Sequence, residues 1–306
     1  ETQINNLSAA AIEFVENRGW FVQPQIKIEY TLLNGYSGNN RIFISGMNGI
    51  EQCQNLSNII VADTQNNAVT LNILGTSSNI ELTSLLNYKG RYLTDLNFGI
   101  NTINTTNGYR AFELCHNLKN INGLKTNNII NGYLMFSNCE NLQPSWNEWN
   151  FNNVINGTQM FCNIGGFISN FSIPNLSFAN LDCATAMFRS VSSNYANITD
   201  VSSNIYMPKV TDMGLIFASC SNLSLNALQN IVTFIPDYTQ LNSTTKASGW
   251  SDWDSSYYGT LQYLGLSIEQ IDLLPDKYKQ MAADKHWNVP GFIAREKASV
   301  LPICNN

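Results

Sequence analysis

Seven cysteines and two histidines carry the most reactive chemistry in this 306-residue sequence. Clustered thiolates and imidazoles would hold a metal, and paired thiols would form disulfides. An odd number of cysteines cannot pair completely within one chain. No Cys-x-x-Cys pair occurs, and neither histidine completes a zinc set: His116 lies between Cys115 and Asn117, and His286 lies beside Trp287. A helical His-Glu-x-x-His pair, a Gly-rich phosphate loop and a Gly-x-Ser-x-Gly elbow are all missing from the sequence. Gly165-Gly166 reads as a turn. Carboxylates are too sparse to nominate the acid pair of a glycosidase. Asp252 and Asp254, within Ser251-Asp252-Trp253-Asp254-Ser255-Ser256, offer oxygen ligands for Ca²⁺. Without a Gly turn or a closing Glu, a solvated loop fits that stretch better. The expectation is therefore no catalytic set, no metal and no cofactor.

Two aromatic clusters offer a different chemistry. Trp146 and Trp149 stand in Pro144-Ser145-Trp146-Asn147-Glu148-Trp149, and Trp250, Trp253, Tyr257 and Tyr258 stand in a Ser/Asp/Gly-rich stretch. Exposed, these rings would stack on sugar faces or anchor a protein partner. The alternative is that they cover the ends of a core.

Composition narrows the classes. Charged residues make up 12% of the chain, about half the usual share. The missing polarity comes from amide, in 45 asparagines. A net charge of -6 with no Lys/Arg cluster argues against a nucleic-acid partner. No apolar run approaches the ~18 residues of a membrane span. With 44% hydrophobic residues the chain is able to bury a large core. Sequons such as Asn55-Leu56-Ser57 and Asn156-Gly157-Thr158 are expected by chance in so Asn-rich a chain.

What positions the cysteines is a repeat. Four segments place an aromatic or aliphatic residue, then Cys three later, then Asn-Leu. They run from Ile50 to Leu56, Phe112 to Leu118, Phe136 to Leu142 and Phe217 to Leu223. Weaker copies follow Met160-Phe161 and Met187-Phe188, with Ile164 and Val191 at the Cys position. Positions 115, 139, 164, 191 and 220 advance by 24 to 29 residues. Upstream of the aromatic stands a second phrase, in Asn107-Gly108-Tyr109, Asn131-Gly132-Tyr133 and Asn156-Gly157-Thr158. A unit of this length cannot bury its apolar side alone, but stacked units form continuous ladders. Cys53, Cys115, Cys139 and Cys220 then read as small buried hydrophobes. Asn55, Asn117, Asn141 and Asn222 read as an amide ladder that satisfies buried backbone groups.

At these residues the chain resembles the BspA-type leucine-rich repeat family. Tyr133-Leu134-Met135-Phe136-Ser137-Asn138-Cys139-Glu140-Asn141-Leu142 is close to the family's phrase. The resemblance covers about residues 44 to 230. It implies a curved solenoid that binds a partner and does not catalyse, found on bacterial and some protist surfaces and in phage tails or virions.

Three regions follow: an N-terminal cap at 1–43, repeats at 44–230, and a C-terminal capping unit at 231–306. The expected fold class is an α/β repeat solenoid, a leucine-rich-repeat-like stack of short strands with helical or irregular returns, capped by small α/β units. Residues 26 to 45 alternate like strands, with a helix expected over 9–16 before them. At the other end, Ser224 to Val232 has helical spacing and Gly259 to Leu266 alternates like a strand. Ser267 with Gln270 forms a capping-box pattern, and Pro275 divides the helix that follows. Leu7-Ser8 and Trp20-Phe21-Val22 echo Leu266-Ser267 and Trp287-Asn288-Val289, which suggests a piece of a longer modular protein.

The functional expectation is a recognition or adhesion module on the outside of a bacterium or phage virion. Its partner would be a host-surface protein or glycan, with other virion or surface subunits and self-association into a homo-oligomer left open. The alternative is a binding domain appended to an enzyme outside this chain.

Overall fold

The computed structural model describes residues 25–32, 37–43, 68–75, 82–87, 90, 92–99, 102, 105–190, 198–241 and 257–295. Cys53, Asn55, Trp250, Trp253, Asp252, Asp254 and the helix expected over 9–16 lie outside them.

Three β-rich strands begin the described chain: β1 (Gln25–Leu32), β2 (Ser37–Phe43) and β3 (Ala68–Gly75). β1 lies antiparallel between β2 and β3. From β3 onward the pairing turns parallel, through β4 (Asp95–Gly99) to β5 (Asn120–Asn122), giving the order β2-β1-β3-β4-β5. Leu71, Leu96 and Ile121 share one register and are buried. Parallel neighbours need a crossover between them. Here each crossover is a single coil of about 25 residues.

A second parallel ladder runs along the same coils without interruption. Asn107 bridges Asn131, Asn131 bridges Asn156, Asn156 bridges Cys183, and Cys183 bridges Asp212. Past each bridge the N–H groups alternate in use. Those of Arg110, Phe112 and Leu114 donate to the carbonyls of Tyr133, Met135 and Ser137 on the next coil. Those of Ala111 and Cys115 close local turns onto Gly108 and Phe112. The same scheme recurs from Leu134, Gln159, Ala186 and Leu215.

Aiming every second amide up the stack requires left-handed backbone at residues that are not glycine. Ser84, Arg110, Leu134, Gln159, Ala186 and Leu215 have φ between 51° and 57°. Each such residue costs of order 1 to 3 kcal/mol, and the inter-coil bonds on either side hold it there. The glycines of the Asn-Gly phrase serve a different need, room. A Cβ on Gly132 would lie 2.7 Å from Sδ of Met160 on the following coil, and one on Gly108 would lie 2.6 Å from Sδ of Met135.

Inside the coils Phe112, Phe136, Phe161, Phe188 and Phe217 stack face to face, their centroids 5.4 to 5.8 Å apart. Offset stacking of this kind adds about 0.5 to 1.5 kcal/mol per pair beyond burial. Cys115, Cys139 and Cys220 fill the inward position three residues later. Their thiols donate to the carbonyls of Leu86, Phe112 and Phe188 one coil earlier.

The strand ladder, unlike the bridge ladder, is broken. After β5 the next coil carries Pro144 and a turn at 146–148, and pairing resumes only between β6 (Phe171–Ile173) and β7 (Ile198–Val201). Pro144 brings no N–H to a ladder.

The C-terminal end closes the stack. Helix α1 (Leu225–Phe234), capped by Ser224, crosses the boundary expected at 230 and contacts β7. Gly259 to Leu266 does not form the expected strand: Leu261–Leu264 is a 3₁₀ turn ending at left-handed Gly265. The alternation comes from burying Leu261, Tyr263 and Leu264 against the last coil, where Leu215 and Phe217 donate to the carbonyls of Tyr263 and Leu264. The capping box at Ser267 and Gln270 is present, and Gln270 also donates to the carbonyl of Cys220. Pro275 separates α2 (Ile268–Leu273) from α3 (Asp276–Asp284). Lys285 then donates to the carbonyls of Val232, Thr233 and Ile235, and the Trp287 indole donates to that of Pro236.

Candidate functional site

Where the bridges form, the chain is extended, and neighbouring residues point to opposite sides. Paired aliphatics at that place cannot both be internal. Ile129 and Val154 are buried, whereas Ile130 and Ile155 are 45% and 48% exposed. The same position is filled by Thr106, Asp182 and Thr211 on other coils. Two residues earlier stand Asn128, Asn153, Asn180 and Lys209.

These two columns border a groove of about 480 Å³ lined by Thr106, Asn128, Ile130, Asn153, Ile155, Asn180 and Lys209. It crosses five coils, a length of about 20 Å at the usual strand spacing. Hydrogen bonds fix its rim. Asn153 donates to the carbonyl of Asn127 at 2.8 Å, and Lys209 donates to Oδ1 of Asn180 at 2.7 Å. Thr211 donates to Asp182 at 2.6 Å. Beside the groove, Asn107, Asn131 and Asn156 each accept from the backbone N–H two residues on, and Asp212 does the same. Tyr109 and Tyr133 stack at 5.3 Å one step further along.

Charged side chains gather on another part of the coils. Arg110 grips Glu113 with two nitrogens. The buried Glu140 carboxylate accepts from Asn163 at 3.0 Å and lies 2.7 Å from Nδ1 of His116. Arg110 and Glu113 share one coil, whereas the contacts of Glu140 cross coils. Among the described residues no group of three or more His, Cys, Asp or Glu is placed to hold a metal ion.

Burial holds the thiols in their neutral form. It pushes Cys115 and Cys220 up to about 12 and Cys162 up to about 11, and raises Cys139 well above 9.0. Cys183 is half-buried, between the hydroxyls of Thr158 and Thr185.

The structure separates the residues that the sequence singled out. Trp149 is buried and stacks on Phe136 at 4.8 Å. Trp146 is half-buried, its ring edge-on to Phe161 and tilted against Phe171. These two rings fill the space that the missing strand leaves, so Trp149 lacks the exposed face that binding requires. Tyr258 packs 5.8 Å from Tyr263, and Tyr257 begins the turn that Thr260 closes.

Asparagine amides join coils at several places. Asn141 donates to the coil before it, at the carbonyl of His116, and Asn117 and Asn222 are exposed. Side-chain amides also bond in series at Asn72, Asn97 and Asn122 on the strands, 2.7 Å per link. The Asn of Cys-x-Asn-Leu follows a turn at the surface, whereas the strand asparagines face the same register on successive coils.

Sequence reasoning missed the groove, although its signal was present. Asn127-Asn128-Ile129-Ile130 and Asn152-Asn153-Val154-Ile155 pair two aliphatics where period-2 geometry admits one. A second cleft, of about 230 Å³, lies at the C-terminal end between α2 and residues 288–290. It involves one coil end, whereas the groove is built from a repeated position.

A family model described as Mycoplasma protein of unknown function, DUF285, matches residues 97–201. The match covers every groove-lining residue except Lys209. No curated protein and no solved structure matches the chain. Among the described residues no helix is long and apolar enough to cross a membrane.

Proposed function

We propose that this chain is a non-catalytic recognition or adhesion module, displayed on the exterior of a bacterium or phage virion, and that the groove across its coils receives the partner. The fold we assign is an α/β leucine-rich-repeat-like solenoid over residues 44–230, with capping units at 1–43 and 231–306. Parallel coils of about 25 residues and the match at 97–201 support that assignment.

The observation that carries the functional reading is the exposure of Ile130 and Ile155 at the centre of a groove with an amide rim. Exposed aliphatics at a repeated position, rimmed by amides, are the kind of patch that marks interaction sites. A host-surface protein or glycan is the partner class, and the alternative is attachment of this module to an enzyme outside the chain.

The test is a host-cell binding assay with the double variant Ile130→Asp/Ile155→Asp, folding being checked by circular dichroism. Binding should fall at least tenfold. Unchanged binding by the folded double variant would remove the groove from the account. Changing Trp250 and Trp253 to Ala in a parallel chain reports on the outlying aromatic cluster.

A further inference from the structure

Resting on that reading and deepening it, we propose that the groove's ligand is a neutral, β-linked hexose oligosaccharide laid along the stack, successive sugar rings meeting successive coils.

The first argument is what the groove offers. Its backbone is already engaged: Gly108, Gly132 and Gly157 donate to the next coil, and the carbonyls of Thr106, Ile130 and Ile155 each accept two N–H groups from the coil that follows. A peptide laid here finds no main-chain ladder to join, which is the usual source of affinity for an extended peptide on a sheet. Only side chains remain, and they alternate amide with aliphatic. With its Nδ2 bound to Asn127, Asn153 presents Oδ1 as an acceptor; with its Oδ1 bound by Lys209, Asn180 presents Nδ2 as a donor. A sugar hydroxyl donates and accepts, and the C–H face of a pyranose suits Ile130 and Ile155.

Spacing is the second argument. The groove repeats once per coil, at the ~4.8 Å spacing of paired strands. Side chains on one face of an extended peptide recur every ~6.8 Å, out of step with the coils. An extended, equatorially linked hexose chain advances by about one coil per ring.

Charge is the third. Lys209 lines the groove and Asp182 stands in the bordering column, and each is held by a neighbour, Asn180 and Thr211. A polyanion would meet one lysine in about 20 Å of groove, far short of the repeated cationic contacts that polyanion binding uses.

Calorimetry with the whole chain tests this, using di-, tetra-, penta- and hexasaccharides of chitin, cellulose, mannan and laminarin, with hyaluronan oligosaccharides as the acidic control. One neutral series should bind, its affinity rising at least tenfold from the disaccharide to the pentasaccharide and levelling at the hexasaccharide. Asn153→Ala/Asn180→Ala and, separately, Ile155→Ala should each lower pentasaccharide affinity at least fivefold with an unchanged melting temperature. Failure of every neutral series, or tighter binding of hyaluronan, overturns the proposal. If Ile130→Asp/Ile155→Asp still abolishes host-cell binding in that event, the recognition reading stands and only the ligand class is wrong. Oligosaccharide binding that survives all the groove variants overturns this proposal, and the host-cell assay then decides the recognition reading by itself.

Discussion

Trp146 and Trp149 lie along the chain between Ile130 and Ile155, and the two pairs exchange the roles that their side chains suggest. The indoles, the residue type most often found anchoring an interface, fill the interior where the strand ladder is interrupted. The isoleucines, ordinary core residues, stand half-exposed along a groove. Exposure here follows position within the coil. Extended backbone sends alternate residues to opposite sides, and Ile129 and Val154 already occupy the inner one. Where Pro144 ends the strand pattern, alternation no longer applies and large rings turn in to fill the volume.

The sharpest way to break this contrast is to empty the interior. Phe161 touches Phe136, Phe188, Phe151 and Trp146. Phe161→Ala should cost about 3 to 5 kcal/mol and Trp149→Ala a similar amount, read from the shift of the urea midpoint. A Trp149→Ala variant with unchanged stability would contradict the interior role assigned to that ring.

A smaller effect is expected where the closing unit meets the last coil. Gly265 has φ of 85°, and a Cβ there would lie 2.5 Å from the backbone of Ala218. Gly265→Ala should cost about 2 to 3 kcal/mol. Hydrogen exchange should rise in residues 257–289 before it rises in the central coils.

The thiols extend the contrast to pH. With folded-state values of about 12 for Cys115 and Cys220 against 9.0 unperturbed, the native chain binds more protons than the unfolded one in that window. The stability they contribute is therefore complete below pH 9 and is lost as pH rises from 9 through 12. In a chain with Cys53 and Cys304 changed to Ser, a maleimide at pH 8 should label Cys183 first. Cys115, Cys139 and Cys220 should label only on unfolding.

The smallest effect belongs to the groove. Ile130→Ala and Ile155→Ala should each change stability by less than about 0.5 kcal/mol in the same urea assay. A loss comparable to that of Phe161→Ala would mean that the groove face is covered in the folded chain.

Much of the interior was legible because it repeats. The Phe and Cys positions recur with the coil, and an inward ladder is what a short repeat must build. The capping box at Ser267 and the break at Pro275 were legible because their chemistry is local. Residues 261–264 misled because alternating burial arises equally from a tight turn pressed against a flat end. The series at Asn72, Asn97 and Asn122 was not legible because Asn serves the strand ladder, the turn and the surface alike, and recurrence alone does not say which. The groove escaped notice because its marker is a pair of adjacent aliphatics, ordinary in composition and unusual only once the direction of each side chain is considered.

The left-handed residues at Arg110, Leu134, Gln159, Ala186 and Leu215 have a consequence for heredity. Each coil carries its own bend and satisfies its own amides on the coil beside it, so a coil is a unit of insertion or loss. Duplicating one whole unit between Asn156 and Asp212 leaves every remaining contact of the same kind, whereas deleting a few residues within a unit misaligns all that follow. Length variation in descendants of this chain should therefore come in steps of about 25 residues, and the groove should lengthen or shorten by one amide and one neighbour at each step.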